Sequence, residues 1–215
     1  WINIYDLFVK QKKDDVWPRG LPLDEIIKKK INITKSKIQK NFFIQQGVSE
    51  ENPDVDAIFR FSRNRINVKF KNLKISLGNS LSPFNSQNTI WHKSLLPIMY
   101  LPVTCTMRCT DIWRSLIALR IMKTNKFEIL FFGTTMYQKR NKHDLFKDFI
   151  DEVPAYLNNK KIFNILEKIK LKKGNKHLLF NLTKCYNELI KHKIFNPKEK
   201  KYLKAWLNDC KKIIK

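Results

Sequence analysis

Hydrophobic spacing along this chain changes character near residue 140. Before that point, short apolar runs separate turns and polar blocks. Residues 42–46, 66–70 and 73–77 read as short strands; Ile66, Val68 and Phe70 alternate with polar neighbours as one half-buried face would. Ser49-Glu50-Glu51-Asn52-Pro53 reads as a turn into Val55, Ala57, Ile58, Phe59 and Phe61. This predicts a strand with Asp54 and Asp56 at its mouth. Gly78-Asn79-Ser80 makes a further turn. Residues 95–107 form the most apolar segment, broken by Pro97 and Pro102, and read as a buried strand-like run. Ile112, Trp113, Leu116, Ile117, Leu119 and Ile121 predict a well-buried helix over 111–123, with Thr110 as its cap and Asp111 in its first turn. Residues 127–132 predict a strand ending at Gly133.

Beyond residue 140 the period is helical. Helices are expected over 143–156, 162–172, 177–194 and 197–214, the last opened by Pro197. At the other end, Trp17-Pro18-Arg19-Gly20-Leu21-Pro22-Leu23 cannot form a regular helix and reads as a fixed loop. Asp24 can cap a short helix to residue 30, and 31–40 read as an exposed linker. The pattern divides the chain into an α/β region over 1–157 and a Lys-rich α-helical tail over 158–215, with no internal repeat.

Composition narrows the function classes. At 215 residues and 43% hydrophobic, the chain can hold one large domain or one domain with an appendage. The net charge of +24 invites a nucleic-acid reading, but only 8 of the 43 basic residues are Arg. Base readout and phosphate clamping favour Arg, so a solvated Lys surface is the better reading, with general attraction to anions such as nucleotide diphosphates. Cys105, Cys109, Cys185 and Cys210 show no CxxC or zinc-like spacing and read as reduced packing thiols. No apolar run reaches the ~18 residues of a membrane-spanning helix. Walker A, G-x-G-x-x-G and G-x-S-x-G patterns are absent. The four His are scattered, and His92, after Trp91, lies nearest the central polar stretch.

Four blocks in order carry a more specific signal. Trp17–Leu23, Pro53-Asp54-Val55-Asp56-Ala57-Ile58-Phe59-Arg60, Pro83-Phe84-Asn85-Ser86-Gln87-Asn88-Thr89, and Leu101-Pro102-Val103 followed by Asp111-Ile112-Trp113-Arg114-Ser115 resemble the STELLO family of glycosyltransferases. Asn141–Leu145 and Phe149-Ile150-Asp151-Glu152 are similar to it as well, so the resemblance covers roughly 1–157. The family is distantly similar to the reversibly glycosylated polypeptides, which include UDP-arabinopyranose mutases. The resemblance implies the C-terminal part of a GT-A-like nucleotide-diphospho-sugar transferase fold, with the nucleotide-binding portion expected before Trp1 and a divergent tail after 157. It implies a nucleotide-diphospho-sugar donor, a glycan or protein acceptor, and a divalent cation, Mn or Mg. In plants it implies a Golgi membrane protein associated with a polysaccharide synthase.

On that basis Asp111 is the candidate catalytic base of an inverting transfer. Arg19, Arg108 and Arg114 are candidates to hold the diphosphate or Asp111. Asn85, Gln87 and Asn88 supply donors and acceptors for sugar hydroxyls, and Trp113 a face for a sugar to stack on. Asp54 and Asp56, two positions apart, are candidate metal ligands. The competing expectations are a non-catalytic sugar-binding or scaffold protein of the same fold and, less favoured, a basic nucleic-acid binder.

Overall fold

The computed structural model describes residues 1–11, 15–26, 34, 42–63 and 66–213. Four strands form one mixed sheet: β1 (Ile44–Glu51), β2 (Lys74–Ser76), β3 (Thr89–Trp91) and β4 (Ile129–Gln138), in the order β2-β4-β1-β3. The central pair β1/β4 is parallel, and both edge strands run antiparallel to their neighbours. The helices are α1 (Ile4–Phe8), α2 (Ala57–Phe61), α3 (Met107–Thr124), α4 (Leu145–Glu167), α5 (Leu178–Lys191) and α6 (Glu199–Ile213), with short 3-10 turns at Leu23–Glu25, Lys93–Ile98 and Asn175–His177. The chain is mixed α/β, as its spacing predicts.

Helix α3 supplies the middle of the core, with Ile112, Leu116, Ile117 and Ile121 buried beside Ile44 and Phe131 of the central strands. The tail joins the same core. Leu178, Leu182, Tyr186 and Leu189 of α5 and Leu203 of α6 belong to one continuous buried cluster with the sheet region. Position 157 lies inside α4 rather than between elements.

Several elements differ from the sequence expectation. The apolar run after Asp56 is a helix, α2, because the Asp56 carboxylate accepts from Phe59 N at 2.8 Å and caps it. Residues 66–70 make only isolated bridges, Val68 to Glu51 and Phe70 to Val9. Strand β4 continues past Gly133, where a register shift against β1 falls. A Cβ at Gly133 would stand 2.6 Å from the Asn72 backbone, so the close approach itself requires glycine. The apolar 95–107 segment is a 3-10 turn and a loop, not a strand-like run. Helix α3 begins at Met107, one turn before the expected start. Thr110 lies within it, its hydroxyl donating to Met107 O at 3.1 Å.

The two helices expected over 143–172 are one, because the polar Asn158-Asn159-Lys160-Lys161 segment is not a break. Asn159 is buried, accepting from Trp113 Nε1 at 2.9 Å and donating to Gly20 O at 2.7 Å. Pro154 is carried within this helix. The helix expected from Asp24 appears as the Leu23–Glu25 turn capped at Ile26, with residues 27–30 and most of the 31–40 segment lying outside the described residues.

Candidate functional site

Arg19 anchors the site because Gly20, at φ +90°, lets its loop lie on α3. A Cβ there would meet Ile112 at 2.4 Å. The Arg19 backbone N–H donates to Asp54 O at 2.9 Å. Its guanidinium then spans two carboxylates. Nε lies 3.0 Å from Asp54 Oδ1, one terminal nitrogen 2.8 Å from Asp54 Oδ2 and 3.0 Å from Asp111 Oδ2, and the other 3.0 Å from Asp111 Oδ1. That second nitrogen also donates to the Arg108 carbonyl. Such a fork uses all the donor edges that distinguish Arg from Lys. Burial alone would disfavour both charges. Even so, Asp54 and Asp111 raise the Arg19 pKa well above its usual value, and Arg19 holds the Asp54 carboxyl below its own.

Asp111 also accepts the Ser86 backbone N–H at 3.2 Å. Ser86 in turn takes Arg114 on its hydroxyl at 2.6 Å. Arg114 is buried, with its guanidinium carbon 5.0 Å from the centre of the Trp91 ring. Its Nε has no partner, and among the described residues no carboxylate lies within 4 Å of it. Burial lowers the Arg114 pKa, opposed by the nearby Asp111 charge.

The amide block divides in two. Asn85 is buried and consumed in the turn: its side-chain oxygen accepts from Gln46 Nε2 at 2.5 Å and from Gln87 N at 2.9 Å. Gln87 and Asn88 are half-exposed, and Asn88 Nδ2 lies 3.1 Å from Thr135 Oγ1. These two, not Asn85, offer polar groups to solvent on this edge.

Other candidates separate from this corner. Trp113 is a core residue, edge-on to Phe195 at 5.4 Å, and presents no face for stacking. Arg108 turns to α4, where Nε lies 2.8 Å from Glu152 Oε1 and 4.0 Å from Asp148 Oδ1. His92 caps the Lys93–Ile98 turn through Ser94.

Asp54 and Asp56 do not share a site. Both Asp54 oxygens face Arg19, whereas Asp56 takes Phe59 N on one oxygen and Trp17 Nε1, at 2.7 Å, on the other. Burial pushes the Asp56 carboxyl up to about 6. As arranged, the pair does not fit a shared divalent ion, and no group of three His, Cys, Asp or Glu side chains forms a cation cage among the described residues.

Sequence reasoning missed the second charged layer. Glu152 is buried and takes Arg108, Ala57 N at 2.7 Å and Tyr156 OH at 2.5 Å. Asp148 takes Arg140 at 2.5 Å and His143 at 3.3 Å. Arg60, buried nearby, donates to Pro53 O. Burial and then Arg140 bring its pKa down to about 10. The available signal was the Phe149–Glu152 block, whose last residue is this Glu152.

The comparisons with known proteins agree with the resemblance. Residues 108–214 match the family model described as STELLO glycosyltransferases. This segment covers α3 to α6, so the helical tail lies within the family match rather than diverging from it. The "Probable glycosyltransferase STELLO1" of Arabidopsis thaliana is 26% identical over 206 residues, 90% of this chain and 26% of that protein. "Probable glycosyltransferase STELLO2" of the same plant is 26% identical over 204 residues, with the same shares. The chain thus spans about a quarter of the length of these curated relatives. No helix among the described residues is long and apolar enough to cross a membrane. By family match over residues 108–214 and by pairwise identity over 90% of its length, this chain is similar to the STELLO glycosyltransferases.

Proposed function

We propose that this chain forms the acceptor side of a GT-A-like glycosyltransferase, moving a sugar from a nucleotide-diphospho-sugar to a glycan or protein hydroxyl. The observation that carries the reading is Asp111, held on both oxygens by Arg19 and Ser86 N–H, beside an Arg114 guanidinium that has no carboxylate partner among the described residues. In an inverting displacement the acceptor oxygen attacks the anomeric carbon. The bond from that carbon to the diphosphate oxygen breaks, and its electron pair leaves on the diphosphate. The acceptor proton passes to Asp111. That transfer comes late, when the hydroxyl has become acidic by bonding to the anomeric carbon. Arg114 offsets negative charge nearby, and Gln87 with Asn88 orients sugar hydroxyls.

In recombinant full-length protein, Asp111→Asn should reduce transfer of a radiolabelled sugar by about 10²–10⁴-fold, the usual range for a positioned acid or base. Transfer at the parental rate would remove Asp111 from the chemistry. A second reading, a sugar-binding scaffold within a polysaccharide synthase assembly, draws on the same pairing: an Asp111 with both oxygens engaged suits a framework role. It predicts glycan binding without donor turnover in both the parent and the variant.

A further inference from the structure

Helices α5 and α6 bury one side each in the common core. Leu182, Cys185, Tyr186 and Leu189 point inward from α5, and Leu203 and Cys210 are buried on α6. Their other sides leave a groove of about 440 Å³ lined by Leu179, Phe180, Thr183, Lys184, Leu207 and Lys211. Leu207 packs partly against the core, but Phe180 is 45% exposed. Its ring is instead covered by cations, with Lys172 Nζ 4.6 Å and Lys184 Nζ 6.0 Å from the ring centre. Among the described residues no carboxylate lines the groove. Along 168–213 there are 14 Lys against Glu188, Glu199 and Asp209, and Glu199 is buried. An apolar floor under uncompensated ammonium groups is complementary to a surface that is apolar on one side and acidic at its margins. The α5 wall from Leu179 to Asn187 advances about 12 Å, the length of two helical turns.

We propose that this groove docks a short amphipathic helix of a protein partner, with apolar residues at three- and four-residue spacing and Glu or Asp flanking them. The apolar floor argues against a polyanion such as nucleic acid, whose phosphates would use the Lys but leave Leu179 and Leu207 uncovered. The inference does not depend on the transferase reading, since it uses no residue of the Asp111 corner.

The probe is a fluorescein-labelled synthetic peptide of about 14 residues, Leu on one helical face and Glu elsewhere, titrated with the full chain and followed by anisotropy. Saturable binding is expected, weakening about tenfold or more when NaCl rises from ~50 to ~300 mM and in the double variant Lys184→Glu/Lys211→Glu. Phe180→Ser should weaken it by a similar factor without changing salt sensitivity. A scrambled peptide of identical composition separates a groove from simple charge attraction. Equal binding of the scrambled peptide, or parental affinity in the double variant, would overturn the proposal. So would tighter binding to single-stranded DNA or to phosphatidylserine vesicles that is lost on the same charge reversals. Circular dichroism of each variant confirms that the helices remain.

Discussion

Two buried acidic positions in this molecule are satisfied in opposite ways. At the α3 corner, Asp54 and Asp111 share one cation, Arg19, and Asp111 keeps 14% of its side-chain surface open. At the start of α6, Glu199 is fully buried with no cation within 4 Å among the described residues. Among the described residues its oxygens accept from neutral donors: Tyr100 OH, Val103 N at 3.0 Å, and Thr104 N and Oγ1 at 2.8 and 2.6 Å. The first arrangement is a cation-bridged, half-open corner suited to meeting a ligand. The second is a dry lock. It fixes the 100–104 loop, which leads directly into α3, to a helix nearly 100 positions later. A carboxylate therefore means different things in the two places, and only the surrounding donors tell them apart.

The comparison can be broken from either side. Arg19→Ala should have the largest effect, about 3–5 kcal/mol lost in urea unfolding, because it leaves two carboxylates facing each other without their cation. Arg19→Lys should recover only part of that loss, since a single ammonium cannot span both acids. Glu199→Ala should cost about 2–4 kcal/mol by stranding buried N–H and O–H donors, and Glu199→Gln about 1–2 kcal/mol. If the lock reading holds, Glu199→Gln should also raise proteolytic cleavage around 100–107 while leaving the Arg19 contacts intact; unchanged cleavage would mean that the loop is held elsewhere.

The contrast can also be sharpened through pH. The Asp56 carboxyl titrates near 6 in the fold and near 3.8 in the unfolded chain. A native state that binds the proton more tightly gains stability as pH falls through about 6, completes that gain below about 4, and loses it as pH rises again. The gain is about 3 kcal/mol at most. Asp54, whose pKa is depressed, has the opposite sign: its contribution is present above its unfolded value and is lost as acid titrates the folded carboxylate. Asp56→Asn keeps the cap on α2 and should flatten the profile between pH ~4 and ~6. A profile that stays curved in urea midpoints across that range would assign the titration to another group.

Local pattern found Arg19, Asp54 and Asp111, and the fold brings these three together. It could not pair them. Asp54 and Asp56, two apart, suggest one shared ligand, but one meets an Arg 35 positions away and the other caps its own helix. Trp113 shows why helical spacing alone is ambiguous: the register that exposes Asp111 turns Trp113 into the core against Phe195. Asp148 and Glu152 were illegible for a related reason. Their roles depend on Arg140, Arg108 and the Ala57 N–H, which arrive from other elements. The tail's Lys-rich composition describes its surface, whereas its helically spaced Leu178, Leu182, Tyr186 and Leu189 are core.

The Arg19 fork has a consequence for the order in which the molecule assembles. Its bonds close loops of 35 and 92 positions, and the Asn159 bond to Gly20 O beside it closes one of 139. Closures of that span cost chain entropy before they return any energy, so they form after the local helices and turns. Trp17, two residues from Arg19, reports on that step through its Nε1 bond to Asp56. In refolding, protection of that indole proton should lag behind protection of the α5 amides. The corner that carries the candidate chemistry would then be among the last parts of the chain to form, and among the first to open under stress.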